Sequence, residues 1–140
     1  MASHPRSILV ITGPTGIGKT DLAMRLADDS PLRIISADSV MVYRHLDIGS
    51  AKPSASELER YPHDLIDLVE PEYPFDVGQY LLHAKRSIQH AWQRNEVPCL
   101  VGGTILYLKS LLDGLDPLPK ADPGYAPKRC RRLPQRFQGA

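Results

Sequence analysis

The segment SILVITGPTGIGKTDLAMRLADD, residues 7–29, decides the fold of this 140-residue chain. It begins with a run of apolar, often β-branched residues, which is typical of a strand buried on both faces of a parallel sheet. The glycine-rich pattern G-x-x-x-x-G-K-T follows, from Gly13 to Thr20. A helix comes next, and its apolar face is predicted to hold Leu22, Ala23, Leu26 and Ala27. Strand, glycine-rich loop and helix in this order are the setting in which such a loop binds phosphate groups.

The residues of this loop suit an anion. Its glycines let the backbone turn N–H groups inward, and the N-terminus of the following helix also favours negative charge. Lys19 can bring a positive charge to the outer phosphate, and the hydroxyl of Thr20 suits Mg²⁺. The predicted phosphate-binding residues are Gly13, Pro14, Thr15, Gly16, Ile17, Gly18, Lys19 and Thr20. The motif leaves the ligand open, because ATP, GTP and non-nucleotide diphosphates present the same oxygens.

Strands and helices alternate along the rest of the chain, which predicts an α/β protein with an open, mostly parallel sheet. Apolar runs predict further strands over residues 32–38, 63–69 and 97–104. Helical patterns cover residues 54–61, 75–96 and 104–114. Ser54 and Glu57 fit a capping box, Asp76 fits a helix start, and Gly114 fits a helix end.

Two polar features follow predicted strands. Asp38 closes the second strand, and ligands of open α/β sheets bind at the carboxyl ends of the strands. A carboxylate there can hold the water shell of a metal or accept a proton from a substrate; alternatively, Asp38 and Ser39 only form a turn. The sequence GGT, residues 102–104, ends the last predicted strand, either for tight packing or to turn the hydroxyl of Thr104 towards a substrate.

Charge divides the chain after the sequence LPKADP, residues 118–123. Residues 124–140 contain five Lys and Arg and no acid, and we expect this tail to be disordered. Without those five, 12 of the 17 bases remain against 16 acids, so residues 1–123 carry a net charge of −4. We therefore predict one α/β core over 1–123, which is not a basic platform for nucleic acid.

Other classes of protein are disfavoured by composition. No apolar run approaches the ~20 residues of a membrane helix, and the N-terminal one is too short for a signal peptide. The expected protein is a cytoplasmic monomer without a membrane partner. Cys99 and Cys130 form no motif, and the histidines, His63 among them, lack metal-ligand spacing.

Longer motifs resemble a known family. They are GPTGIGKTDLA (13–23), IISADSVMVYRHLDIGSAKP (34–53), HDLIDLVEPEYPFDVGQY (63–80), PCLVGGTILYLKSLLDGL (98–115) and PLPKADP (117–123). In this order they are similar to the tRNA dimethylallyltransferases, also called tRNA isopentenyltransferases. The likeness covers residues 7–123 and is far more specific than the phosphate loop.

The resemblance implies a fold of the P-loop NTPase type and a reaction. Such enzymes transfer a dimethylallyl group from dimethylallyl diphosphate to the N6 amine of an adenosine beside the tRNA anticodon. The phosphate loop would then hold the prenyl diphosphate and Mg²⁺ instead of a nucleotide, and Asp38 would take a proton from the amine. The implied tRNA contacts are Asp38, Ser39, Val40, Met41 and Thr104.

The chain also departs from the family pattern. Position 41 is Met where many relatives carry Gln, so this contact would be apolar. Family members continue past residue 123 with a tRNA-binding insert and an arginine for the diphosphate, whereas residues 124–140 do not resemble them. We therefore expect a sheet incomplete on its C-terminal side, weak tRNA binding and little activity. The alternatives are a small P-loop kinase or ATP-binding module, and a remnant without function.

Overall fold

The computed structural model describes residues 6–14, 16–46 and 52–114. Within them, strands and helices alternate as the sequence predicts. The strands are β1 (Leu9–Ile11), β2 (Leu32–Ser36), β3 (His63–Asp64) and β4 (Val97–Val101). The helices are α1 (Lys19–Asp29), α2 (Ala55–Arg60), α3 (Val77–Gln93) and α4 (Ile105–Asp113).

The four strands form one sheet in the order β1-β4-β2-β3. Every pairing is parallel. Cys99 of β4 lies between Leu9 of β1 and Ile34 of β2, and Ile34 lies beside His63 of β3 on its other side. The carboxyl ends of the strands consequently meet at one edge, as expected of an open parallel α/β sheet. The predicted fold class is confirmed.

Apolar side chains cover both faces of the sheet, because successive residues of a strand point to opposite sides. On one face, Ile35 and Leu100 pack against α3 and α4. On the other face, Ile34 and Cys99 pack against α1. Cys99 is fully buried in β4, and this burial raises the pKa of its thiol to about 12.

A pair of stacked tyrosines joins the helices of the first face to the carboxyl end of β2. The rings of Tyr80 on α3 and Tyr107 on α4 lie 4.1 Å apart at an interplanar angle of 15°. The Tyr80 hydroxyl donates a 3.0 Å hydrogen bond to the carbonyl oxygen of Ser36, which burial shields from water. This contact anchors the end of the strand from which the candidate site begins.

The structure corrects several predicted boundaries. The strand predicted over 63–69 has only two residues, because Leu65 and Asp67 have φ angles of 68° and 54° and turn the backbone out of the sheet. β2 ends at Ser36, two residues before Asp38, and β4 ends at Val101, before the glycine pair. On α1, Leu22 is 48% exposed and Met24 is buried in its place.

Helix ends agree more closely with the sequence. The capping box of Ser54 and Glu57 is present, and Asp76 forms a second one with Gln79 at the start of α3. Gly114 follows the last residue of α4, as predicted. None of the helices in the described ranges is long and apolar enough to cross a membrane.

Candidate phosphate-binding and acceptor site

A cavity of about 420 Å³ opens at the carboxyl edge of the sheet. Its lining combines the phosphate loop, the segment after β2 and the start of β3. The lining residues are Gly16, Gly18, Lys19, Thr20, Asp21, Ser36, Asp38, Val40, Met41, Pro53, His63, Ile66, Val101 and Gly102. Residues that are far apart in the sequence thus share one cavity, which is large enough for a small phosphorylated ligand.

The phosphate loop has the backbone geometry that its glycines suggest. Gly16 and Gly18 have φ angles of 88° and 87°, in the left-handed region that favours glycine. Lys19 folds back on the loop, and its Nζ donates to the carbonyl oxygens of Gly13 at 2.6 Å and Pro14 at 3.0 Å. An ammonium has three hydrogens, so the lysine keeps one more to offer to an anion. Thr15 lies outside the described residues.

Asp38 lies in the turn that follows β2. One carboxylate oxygen, Oδ1, accepts hydrogen bonds from the backbone N–H groups of Val40 at 2.8 Å and Met41 at 3.1 Å. The turn that the sequence offers as an alternative is therefore real, and it holds the carboxylate against the cavity. Within the described part of the chain, no hydrogen bond to the other oxygen, Oδ2, is present, so it can still act on a ligand.

The GGT segment joins the Asp38 turn to the phosphate loop. A side chain at Gly102 would collide with the backbone of Ala37, whose Cα lies 2.9 Å from the Cβ position. A Cβ at Gly103 would lie 3.8 Å from Lys19 Nζ. Thr104 follows, and its hydroxyl accepts a 3.0 Å hydrogen bond from Ser39 N–H. The tight packing that the sequence offers is thus present, and the Thr104 hydroxyl contacts the Asp38 turn, while its role towards a substrate stays a prediction.

One wall of the cavity depends on a buried lysine. Lys52, whose side chain is only 6% exposed, donates 2.6 Å hydrogen bonds to the Tyr43 carbonyl oxygen and to Asp67 Oδ1. Lys52 and Asp67 are each adjacent in the sequence to a residue that lines the cavity, Pro53 and Ile66 respectively. The described partners of Lys52 therefore place it in the wall of the cavity.

Most of the predicted site residues line the cavity, and a few lie next to it. Ser39 and Thr104 are bonded to one another beside the Asp38 turn, while Gly13, Pro14 and Ile17 complete the loop behind the lining residues. Three polar side chains that line the cavity, Asp21, Ser36 and His63, are absent from the predicted site. Ser36 lies in an apolar strand pattern, which gives no sign of a binding site. His63 is not spaced from other residues as metal ligands are.

Comparison with known proteins identifies relatives along the whole described region. A family model described as IPP transferase matches residues 41–138, and one described as isopentenyl transferase matches residues 6–67. The tRNA dimethylallyltransferase of Acidithiobacillus ferrooxidans is 50% identical over 115 residues, which is 82% of this chain and 36% of that protein. The enzyme of that name from Thermus thermophilus is 47% identical over 118 residues, 84% of this chain and 39% of that protein.

Solved structures agree with these relatives. The full-length tRNA isopentenylpyrophosphate transferase of Bacillus halodurans matches with a TM-score of 0.74 at 34% identity, over 93% of this chain and 43% of that one. The corresponding protein of Staphylococcus epidermidis has a TM-score of 0.70 at 39% identity, over 75% of this chain and 34% of that one.

The chain spans 36–39% of the length of the curated relatives named above. The IPP transferase match extends past residue 123, so the predicted boundary there stays a prediction, and residues 115–140 lie outside the described ranges. A family model that covers more than half of the chain, together with the shared fold, determines its membership. The chain belongs to the IPP transferase family.

Proposed function

We propose that this chain contains the donor-binding half of a tRNA prenyltransferase. Its reaction is the transfer of a dimethylallyl group from dimethylallyl diphosphate to the N6 amine of an adenosine next to the tRNA anticodon. The observation that carries the proposal is the single cavity shared by the phosphate loop, Asp38 and the GGT segment. The names of the curated relatives, and a eukaryotic dimethylallyltransferase acting on tRNA with a TM-score of 0.71, support it.

The phosphate loop is the place for the diphosphate. Its backbone N–H groups, the N-terminus of α1 and the Lys19 ammonium all favour an anion. When the bond between the prenyl carbon and the diphosphate oxygen breaks, negative charge grows on that oxygen. Donors that are already oriented towards this charge stabilise the transition state more than the ground state, which accelerates the reaction.

Asp38 is the place for the acceptor amine. The amine nitrogen attacks the first carbon of the prenyl group, a C–N bond forms, and diphosphate leaves with the electron pair of the broken C–O bond. The amine loses one proton in this step, and the Asp38 carboxylate accepts it through Oδ2. A positioned base of this kind contributes roughly 10²–10⁴-fold to the rate. The adenosine must leave its stack to reach the cavity.

A divalent cation fits the residues present. No group of three or more His, Cys, Asp or Glu side chains able to hold a metal occurs in the described part of the chain. Mg²⁺ is commonly bound by very few protein groups together with substrate phosphates and several waters. Thr20, which lines the cavity in the first turn of α1, would supply the protein ligand, and the ion would neutralise charge on the diphosphate.

Calorimetry on the 140-residue chain tests the ligand. Dimethylallyl diphosphate with Mg²⁺ is expected to bind more tightly than ATP with Mg²⁺, and Lys19→Ala is expected to abolish binding of either ligand. ATP bound tenfold more tightly, a preference of about 1.4 kcal/mol, would contradict the prenyl-donor proposal and favour a nucleotide-binding module. Arg60→Ala, on exposed α2, is the matched control and should leave both affinities unchanged.

The remaining parts of the proposal follow from the substrate. A tRNA-modifying protein is expected to act in the cytoplasm. Residues outside the described ranges are expected to supply most of the positive charge that a tRNA needs. We further propose that the protein acts as a monomer.

A further inference from the structure

Two residues that line the cavity each have a buried polar side-chain atom without a hydrogen-bond partner in the described part of the chain. These atoms are Oγ of Ser36, a residue only 3% exposed, and Nε2 of His63. Buried polar groups in proteins almost always have a partner, so such atoms call for a ligand or a bound water. Both residues line the cavity of the phosphate loop, and neither has a role in the proposed reaction so far.

The sheet register places both side chains on the same face. His63 lies directly beside Ile34, and Ser36 is two residues further along β2 than Ile34. Because side chains alternate along a strand, Ile34, Ser36 and His63 point to the face that α1 covers. Thr20, in the first turn of α1, lines the cavity from this side as well. We call Ser36 and His63 the floor pair.

The imidazole of His63 is oriented by its other nitrogen. Nδ1 lies 2.6 Å from the carbonyl oxygen of Tyr61, and since a carbonyl only accepts, Nδ1 carries the hydrogen. Burial lowers the pKa of His63, which favours the neutral ring. In that ring Nε2 has a lone pair and no hydrogen, so it can only accept a hydrogen bond. The Ser36 hydroxyl can accept or donate.

His63 therefore needs a ligand group that donates a hydrogen bond, and Ser36 can accept from the same kind of group. Diphosphate oxygens only accept, and a dimethylallyl group has no polar hydrogen, so the donor molecule itself does not satisfy His63. Two kinds of donor remain in the proposed reaction: water bound to the divalent cation, and the exocyclic amine of the acceptor base. Mg²⁺ retains several of its waters in proteins, and each of these waters donates strongly.

Position within the cavity separates these two kinds of donor. Asp38 and its turn lie after the end of β2, where Val40 is 47% exposed, and a base attached to a polynucleotide reaches this outer part first. Ser36 is buried beneath it, on the side of the sheet that faces Thr20. Resting on the proposed function, we propose that Ser36 and His63 accept hydrogen bonds from water ligands of the divalent cation that binds with the diphosphate.

The test measures how much Mg²⁺ improves the binding of inorganic diphosphate to the 140-residue chain. Calorimetry gives the Kd with saturating Mg²⁺ and again in EDTA, and the ratio of the two is the metal-dependent gain. Groups that hold metal-bound ligands typically change metal affinity by about 10–100-fold. Ser36→Ala and His63→Asn are each expected to reduce the gain at least about tenfold and to leave the Kd in EDTA unchanged.

Matched variants separate this role from a structural one. Asn at position 63 can keep the hydrogen bond to Tyr61 but has no atom in the place of Nε2, whereas His63→Gln can place an acceptor there and is expected to retain the gain. The hydroxyl of Thr12 is, like that of Ser36, buried without a described partner, but Thr12 does not line the cavity. Thr12→Val is therefore expected to retain the gain. Circular dichroism checks that each variant folds. If His63→Asn does not fold, Ser36→Ala, which removes only one atom, still tests the proposal.

Four outcomes overturn the proposal. The gain in Ser36→Ala and His63→Asn could stay within twofold of the wild type, or the Kd could rise equally with and without Mg²⁺, which indicates a direct phosphate contact. Thirdly, these variants could lose affinity for an anticodon stem-loop RNA while the gain is unchanged, which assigns the floor pair to the amine. A wild-type chain without any gain overturns it too. None of these results depends on whether dimethylallyl diphosphate or ATP binds better, so the proposed function can fail separately.

Discussion

At the scale of single residues, one substitution can separate the turn that Asp38 forms from the base role proposed for it. Oδ1 organises the turn, and the proposed reaction uses Oδ2. Asp38→Asn keeps an oxygen for the Val40 and Met41 N–H groups but cannot accept a proton. In a chain extended with the remainder of a family sequence, we expect unchanged affinity for the prenyl donor and a transfer rate lower by roughly 10²–10⁴-fold. Rapid-quench single-turnover assays measure the rate, and transfer at the wild-type rate would leave Asp38 a purely structural residue.

Gly102 is a second residue at which one added atom is expected to change the stability of the fold. A Cβ there meets the Ala37 backbone, which cannot rotate away as a side chain would. We expect Gly102→Ala to lower the free energy of unfolding by about 1–3 kcal/mol, as overpacked cores do. Gly78→Ala on α3 is the control, because that position is exposed and helical, and its change should stay within about 1 kcal/mol. Urea denaturation compares the two, and equal stability of both variants would refute the close approach.

At the scale of elements, the Lys52 link decides where the wall of the cavity lies. It joins the segment after β2 to the turn after β3, which four backbone hydrogen bonds from the N–H groups of Arg44, Asp67, Leu68 and Val69 also hold together. We expect Lys52→Met to lower the free energy of unfolding by about 2 kcal/mol, since hydrogen bonds of charged groups contribute about 1.5–3 kcal/mol. Donor affinity should fall as well, because Pro53 and Ile66 lose their support.

The control for this element is an ion pair on the surface. Arg60 lies 3.6 Å from Asp28 and is 73% exposed, so Arg60→Met should change stability by less than about 1 kcal/mol. Thermal melts give both stabilities, and calorimetry gives the donor affinity. Equal effects of the two substitutions would mean that the buried lysine does not hold the wall.

At the scale of the whole molecule, charge limits what residues 1–123 can do with a tRNA. Their net charge is −4, and contacts to phosphates by Lys and Arg dominate affinity for nucleic acid. We therefore expect the 140-residue chain by itself to bind unmodified tRNA weakly and to transfer prenyl groups far more slowly than ~1 s⁻¹, the low end of typical enzyme rates. A filter assay with labelled dimethylallyl diphosphate measures the rate. Turnover near ~1 s⁻¹ would show that these 140 residues suffice.

How far the site could be predicted differs from residue to residue. The phosphate loop and the capping boxes depend on neighbours in the sequence, and the structure contains them because glycine φ angles and helix ends are decided locally. The segment 63–69 looks like a strand by its apolar residues, but the positive φ angles of Leu65 and Asp67 end it after two residues. Residue type alone gave no signal for these angles, which are uncommon for residues other than glycine.

The sequence by itself determined the fold class, the phosphate loop and the family resemblance, because a strand, a loop and a helix in tandem carry their signal in adjacent residues. Only the tertiary structure decided which side chains share the cavity. Ser36 and His63 are 27 positions apart and belong to an apolar strand and a strand start, and only the pairing of Ile34 with His63 brings them to one face. The physical reason is that strands of a parallel sheet pair across long crossover connections, so neighbouring residues in the sequence do not show which residues become partners.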